Sequence, residues 1–179
     1  PPQPGTSLEV APDGPDTQIH ASAAFDGEAV WVVYNQPEAD GSGGFDVWGT
    51  RLHCDGSVAL APFSVQVADH GNEIDPEVVV AGDRVYVVWQ ADTGGDPNLF
   101  VYIRSFDRQG RPTTAAEEVL VPRPEGEATV ASAWLPKAAA LPDSNLLLAT
   151  SWASPLATRW QVLLQRLGPD GLPALDPDG

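Results

Sequence analysis

The feature that most constrains this chain is an internal repeat. Three apolar runs ending in an aromatic, Ala29–Tyr34, Arg84–Trp89 and, more loosely, Leu147–Trp152, are each followed by a second strand-like run, Val47–Leu52, Val101–Phe106 and Val162–Leu167. A turn closes each second run at Asp55-Gly56, Gln109-Gly110 and Asp170-Gly171, and these glycines recur 54 and 61 residues apart. Upstream, Ile19, Ile74 and Val130 each open a short stretch leading into the unit, 55 and 56 residues apart. A fourth strand follows the turn at Ser64–Ala68 and Glu118–Pro122, and the same element stands alone near the start at Ser7–Ala11. Four strands of about five residues in a unit of ~50 is the arithmetic of a β-propeller blade, whose apolar faces are buried only by stacked neighbours. The expected organisation is all-β: one domain of three four-stranded antiparallel repeats at about 7–63, 64–117 and 118–179.

Two details favour blades over a β-sandwich made from the same strands. The first runs, the second strand of each unit, are continuously apolar, as a sheet covered on both faces demands, whereas a half-exposed strand would alternate. The opening strands are rich in small residues, at Ala21–Ala24 and Ala128–Ala133, which suits the crowded position nearest an axis. Pro and Gly together make 35 of 179 residues, which leaves little room for long helices. The third unit has about seven extra residues, assigned to an enlarged loop around Leu135–Pro142.

The segments Asn72–Val79, Gly82–Trp89 and Phe45–Leu52, the last with Asp55-Gly56, also resemble a known repeat. They look like the roughly 50-residue units of large bacterial secreted and surface β-propeller proteins. In those a Pro-x-Val-Ala, Val-Val-Trp, Asp-Ile-Tyr-Gly-x-Arg-Val, Asp-Gly core recurs. The resemblance covers units one and two and is degenerate in unit three. It implies a propeller fold and a location outside the cell or at its envelope. Function it implies only broadly, since propellers serve as scaffolds, lectins and enzymes alike.

Charge narrows the partners. With 25 Asp and Glu against 9 Lys and Arg the formal charge is −16, which repels phosphate backbones and anionic lipid. Nucleic acid and membrane insertion are therefore not expected. The single cysteine, Cys54, builds no disulfide framework within the chain. The opening Pro1-Pro2-Gln3-Pro4, without Met or a secretory segment, reads as a processed or excised piece.

Candidate chemistry is sparse. Gly41–Trp48 nearly matches a calcium-binding glycine-aspartate repeat with Ser42 in place of one glycine, and Asp92–Asp96 occupies the matching loop of unit two. Asp40, Asp46, Asp92 and Asp96 are the candidate metal ligands, because calcium takes six or more oxygens and tolerates loops; solvated turns are the competing reading. No other cofactor is implied. His53-Cys54 and Asp69, His70 and Glu73 are metal-ligand types without the paired spacing of a zinc site. No Gly-x-Ser-x-Gly elbow is present, and the His residues make no triad from sequence. Arg51 and Arg166 hold equivalent positions, with Ser105 between them in the series, and read as ties between strands or blades. Trp31 and Trp89 read as core, whereas Trp48 and Trp134 are the candidate glycan-stacking residues.

The expected role is a non-enzymatic scaffold presenting loops to a protein or glycan; the competing classes are a glycan hydrolase or lyase, or a lectin, with its site on the central channel. Three blades are too few for a ring, since propellers have about four to eight. The repeat is thus expected to belong to a six- to eight-bladed ring, completed by a second copy or a protein partner.

Overall fold

The computed structural model of the chain describes residues 10, 17–38, 43–66, 71–92, 99–115, 117–119, 132–153 and 160–174. They form three antiparallel sheets, each with its strands in chain order. Blade one is β1 (Ile19–Phe25), β2 (Ala29–Pro37), β3 (Phe45–His53) and β4 (Val58–Ser64). Blade two is β5 (Glu73–Ala81), β6 (Arg84–Ala91), β7 (Phe100–Asp107) and β8 (Glu117–Val119). Blade three is β9 (Ser132–Ala140), β10 (Leu146–Ala153) and β11 (Gln161–Leu167). The innermost strands stand side by side, β1 against β5 and β5 against β9. This is the β-propeller arrangement, with blade two in the middle of the stack.

The glycine turns work as their chemistry requires. Gly56, Gly110 and Gly171 have φ of 88, 78 and 82°, a region costly for a residue with a Cβ. Each donates its N–H three residues back, Gly56 to His53 O at 2.8 Å, for example. The carboxylates of Asp55, Asp107 and Asp170 accept the N–H two residues on and hold the turns in shape.

The double coverage read from the sequence is met in blade two. Along β6, Val85, Val87 and Trp89 pack on Trp31, Val33 and Val47 of blade one, while Tyr86 and Val88 pack on Leu146, Leu148 and Leu167 of blade three. Alternate residues of one strand thus feed two interfaces. Trp31 and Trp89 are core, as expected.

Three expectations are corrected. The fourth strand of blade one begins directly after the turn, at Val58, rather than at Ser64; Pro62 sits within it because the strand's outer edge needs no donor there. Leu135–Pro142 is not an enlarged loop: Leu135–Ala140 lies within β9, and the hairpin turn is closed by Leu141 N–H bonding to Asn145 O at 2.8 Å. The third aromatic is also misaligned by two residues. Val47, Val101 and Val162 pair with Asn35, Gln90 and Ser151, so the position of Tyr34 and Trp89 is held by Thr150 and not by Trp152. Of the expected lone strand, Ser7, Leu8, Glu9 and Ala11 lie outside the described residues, as do Val67 to His70.

Arg51 and Arg166 each tie the third strand of a blade to that blade's own first turn. Arg166 pairs with Asp143 on the surface. Arg51 belongs to a buried knot: Asp26 accepts from Arg51 Nε at 2.8 Å, Trp31 Nε1 at 2.9 Å and the N–H groups of Glu28 and Ala29 at 2.9 Å. Burial alone would raise the Asp26 carboxyl, but the hydrogen bonds led by Arg51 outweigh it and hold it well below the usual carboxylate range.

Candidate functional site

Each innermost strand breaks register once, and at the same place. The shifts fall between Ile19 and Ser22, between Ile74 and Glu77, and opposite Ala149 and Ser151 in β9. At each break one non-glycine residue adopts a left-handed backbone: His20 at φ 53°, Asp75 at 54° and Leu135 at 52°. Such residues are uncommon outside Asn, Asp and Gly, and for leucine the conformation must be imposed by its surroundings. Pro76 and Pro136 follow directly, tolerated because a bulge needs no ladder donor.

The imposing groups are side-chain amides of the preceding blade. Asn35 on β2 accepts from the Asp75 N–H at 3.1 Å and donates to Glu73 O at 2.7 Å. Gln90 on β6, one repeat later, accepts from the Leu135 N–H at 2.7 Å and donates to Asp75 Oδ2 at 2.7 Å. Both amides are buried, where an unmet partner would be costly. A second repeated tie lies beside the first: the Phe45 N–H donates to Asn72 Oδ1 at 3.1 Å, and the Leu99 N–H to Ser132 Oγ at 3.3 Å.

The three bulges, residues 20–22, 75–77 and 135–137, wall a cavity of about 240 Å³ between the first strands of the blades. That is just below the roughly 300–1,000 Å³ usual for small-molecule sites. Ionisable side chains from all three blades meet there. His20 Nδ1 lies 3.0 Å from Asp75 Oδ1, and Lys137 Nζ lies 2.6 Å from Glu77 Oε2. With Gln90 on one oxygen and His20 on the other, the Asp75 carboxylate is fixed in orientation. Asp75 and Glu77 are mostly covered and His20 and Lys137 half or more exposed, so the carboxylates form the floor and the bases the rim. Two carboxylates beside a strained backbone, with bases at hydrogen-bond distance, can polarise a bound hydroxyl or move a proton.

None of these four residues was a sequence candidate. The readable signal was the alignment of Asp75-Pro76-Glu77 with Leu135-Pro136-Lys137. Of the sequence candidates, Trp48 sits on β3 opposite Tyr34, on the face of blade one that points away from blade two. Trp134 does not precede a loop; it lies within β9 opposite Ser151, 4.7 Å from the Trp160 ring centroid, on the face of blade three that points away from blade two. The two tryptophans are therefore at opposite ends of the stack.

Asp40 and Asp96 lie outside the described residues. Asp46 joins a different set: one carboxylate oxygen each from Glu38, Asp46 and Glu73 lie within 4.8 Å of one another, with Glu73 fully buried. Asp92 reaches the same corner through the Asn72 N–H, 3.4 Å from its Oδ1. This donor set is of the hard-oxygen kind that calcium takes.

No protein-family model matches the chain, and no curated protein matches it. Solved structures do. A thermostable family-43 glycoside hydrolase superposes with a TM-score of 0.60 at 10% identity, over 87% of this chain and 54% of the other. An N-acetylgalactosamine deacetylase from F. plautii superposes at 0.64 and 13% identity, over 94% and 55%. An α-L-arabinofuranosidase from Lactobacillus brevis superposes at 0.57 and 12% identity, over 88% and 55%. At these identities the likeness is one of fold, and the chain spans about half the length of the structures it matches. No described helix is long and apolar enough to cross a membrane. The expectation of a non-enzymatic scaffold is overturned by these neighbours, which are glycan-acting enzymes by name.

Proposed function

We propose that the cavity between the first strands is the working site of a glycan-active hydrolase, with Asp75 and Glu77 as its carboxylates. In this reading the three blades are an arc of a larger ring and the cavity is part of its central channel. The observation that carries it is the convergence of three strained bulges on one cavity, where one oxygen of Asp75 is engaged by Gln90 of its own blade and the other by His20 of blade one. Glycoside hydrolysis asks for two carboxyl groups around one bond, one to act on the leaving oxygen and one on the anomeric centre or its water. Asp75, fixed by Gln90 and His20, suits the second task. Glu77, beside the exposed Lys137 ammonium at the rim, supplies the second carboxylate. The fold shared with named glycan-acting enzymes supports the same class.

The test is turnover of a panel of aryl glycosides and oligosaccharides by the chain and by Asp75→Asn and Glu77→Gln. Each variant is expected to lose about 100-fold or more in rate, with an unchanged circular dichroism spectrum. Failure of the parent chain to turn over any member, or full activity in both variants, would overturn the reading.

A further inference from the structure

The devices that join the blades run out at the two ends of the stack in complementary ways. On the face directed to the next blade, blades one and two present Asn35 or Gln90 and the backbone N–H of Phe45 or Leu99. Blades two and three receive them with the bulge N–H of Asp75 or Leu135 and the side-chain oxygen of Asn72 or Ser132. By strand register, blade three carries the presenting positions at Ser151 and Trp160, while blade one carries the receiving positions at His20 and Thr17, a hydroxyl residue like Ser132.

The apolar surfaces follow the same rule. Trp160, Val162 and Leu164 form a row on one side of β11, 58, 72 and 64% exposed. The equivalent row in blade one, which includes Val47, is buried against blade two. At the other end, Val32 and Tyr34 hold the positions of Val87 and Trp89, which blade one covers in blade two. A hollow of about 300 Å³ opens beside them, and the buried Tyr34 hydroxyl has no hydrogen-bond partner among the described residues, an unmet need that usually has a cause.

We infer that blade one of a second copy of this chain seats on blade three, continuing the interface made twice within the chain. The contact is head to tail, with Trp134, Trp160, Val162 and Leu164 meeting Val32 and the hollow beside it. Made twice between two copies, it closes a ring; a head-to-tail contact whose rotation did not close would give open chains.

Light scattering across a concentration series tests this. The parent chain is expected at twice its sequence mass. Val162→Asp with Leu164→Asp, at exposed positions that leave the melting transition in place, is expected to give a monomer, and so is Val32→Asp on the opposite face. Mixing the two variants restores a dimer, because each keeps the face the other lacks; a face-to-face dimer would not respond to Val32→Asp. A monomer at every concentration, a dimer that survives both variants, or a ladder of larger species would overturn the inference. So would a monomer that binds an oligosaccharide and loses it on Trp134→Ala, which would make this face a glycan platform.

Discussion

Blades two and three are built from one repeat, yet their middle strands have different surroundings. Every residue of β6 after Arg84 is buried, whereas β10 alternates between buried and half-buried along its whole length, and β11 leaves Val162 and Leu164 in solvent. The difference is one of position in the stack. Among the described residues, blade two has a neighbour on each face and blade three on one. Apolar residues at the same register are core in one blade and open surface in the other, so the repeat encodes interfaces and not merely strands.

The largest contrast should come from truncating apolar residues in the two environments. Trp89→Ala in the middle blade removes a fully buried indole that packs on blade one and stacks on Tyr102 at 5.8 Å; it is expected to cost about 3–5 kcal/mol. Val162→Ala is expected to stay within about 0.5 kcal/mol for the monomeric chain. Equal costs in urea denaturation would erase the distinction between covered and open faces.

The next effect separates blade one from the others, because only there does a buried carboxylate close the first turn among the described residues. Asp26→Asn leaves Arg51 without its main partner and is expected to cost about 3 kcal/mol. Since the folded-state carboxyl lies below its unfolded value of roughly 3.9, its contribution is fully present above that pH and is lost as pH falls beneath it. The parent chain should therefore lose stability below about pH 4 more steeply than Asp26→Asn does. Parallel acid limbs would contradict this assignment.

A smaller effect distinguishes the joined interfaces from the open end. Gln90→Ala removes the buried amide that serves both the Leu135 N–H and Asp75 Oδ2 and is expected to cost about 1–3 kcal/mol. Ser151→Ala, at the same register on the open face of blade three, should cost less than about 0.5 kcal/mol. The smallest concerns the Glu38, Asp46 and Glu73 corner. If calcium binds there, about tenfold excess over its dissociation constant should add ~1.4 kcal/mol and raise the melting temperature, and Asp46→Asn should remove the rise. An unchanged melting temperature would leave an ordinary acidic corner.

Much of the architecture was legible because it rests on local chemistry. The glycine turns, the continuous run Val85–Trp89 and the third-strand alignment of Val47, Val101 and Val162 all correspond to observed elements. The misplacement of Trp152 has a physical origin. A one-residue slip turns every side chain to the other face, but a two-residue slip preserves the pattern, so alternation cannot detect it. The site was less legible for a related reason. A bulge decides which residues meet at the cavity, and in blade one it carries His20-Ala21 with no proline to mark it. Asp75 and Glu77 were two acids among 25, given meaning only by Gln90, His20 and Lys137 from other strands.

The most direct measurement of the central claim, that the three bulges form a glycan site, is chemical-shift mapping of the isotope-labelled chain with a panel of methyl glycosides and short oligosaccharides. The account predicts perturbations clustered at His20, Ser22, Glu77 and Lys137 that disappear in Asp75→Asn. Perturbations confined to Trp134 and Trp160, or none with any member of the panel, would contradict it.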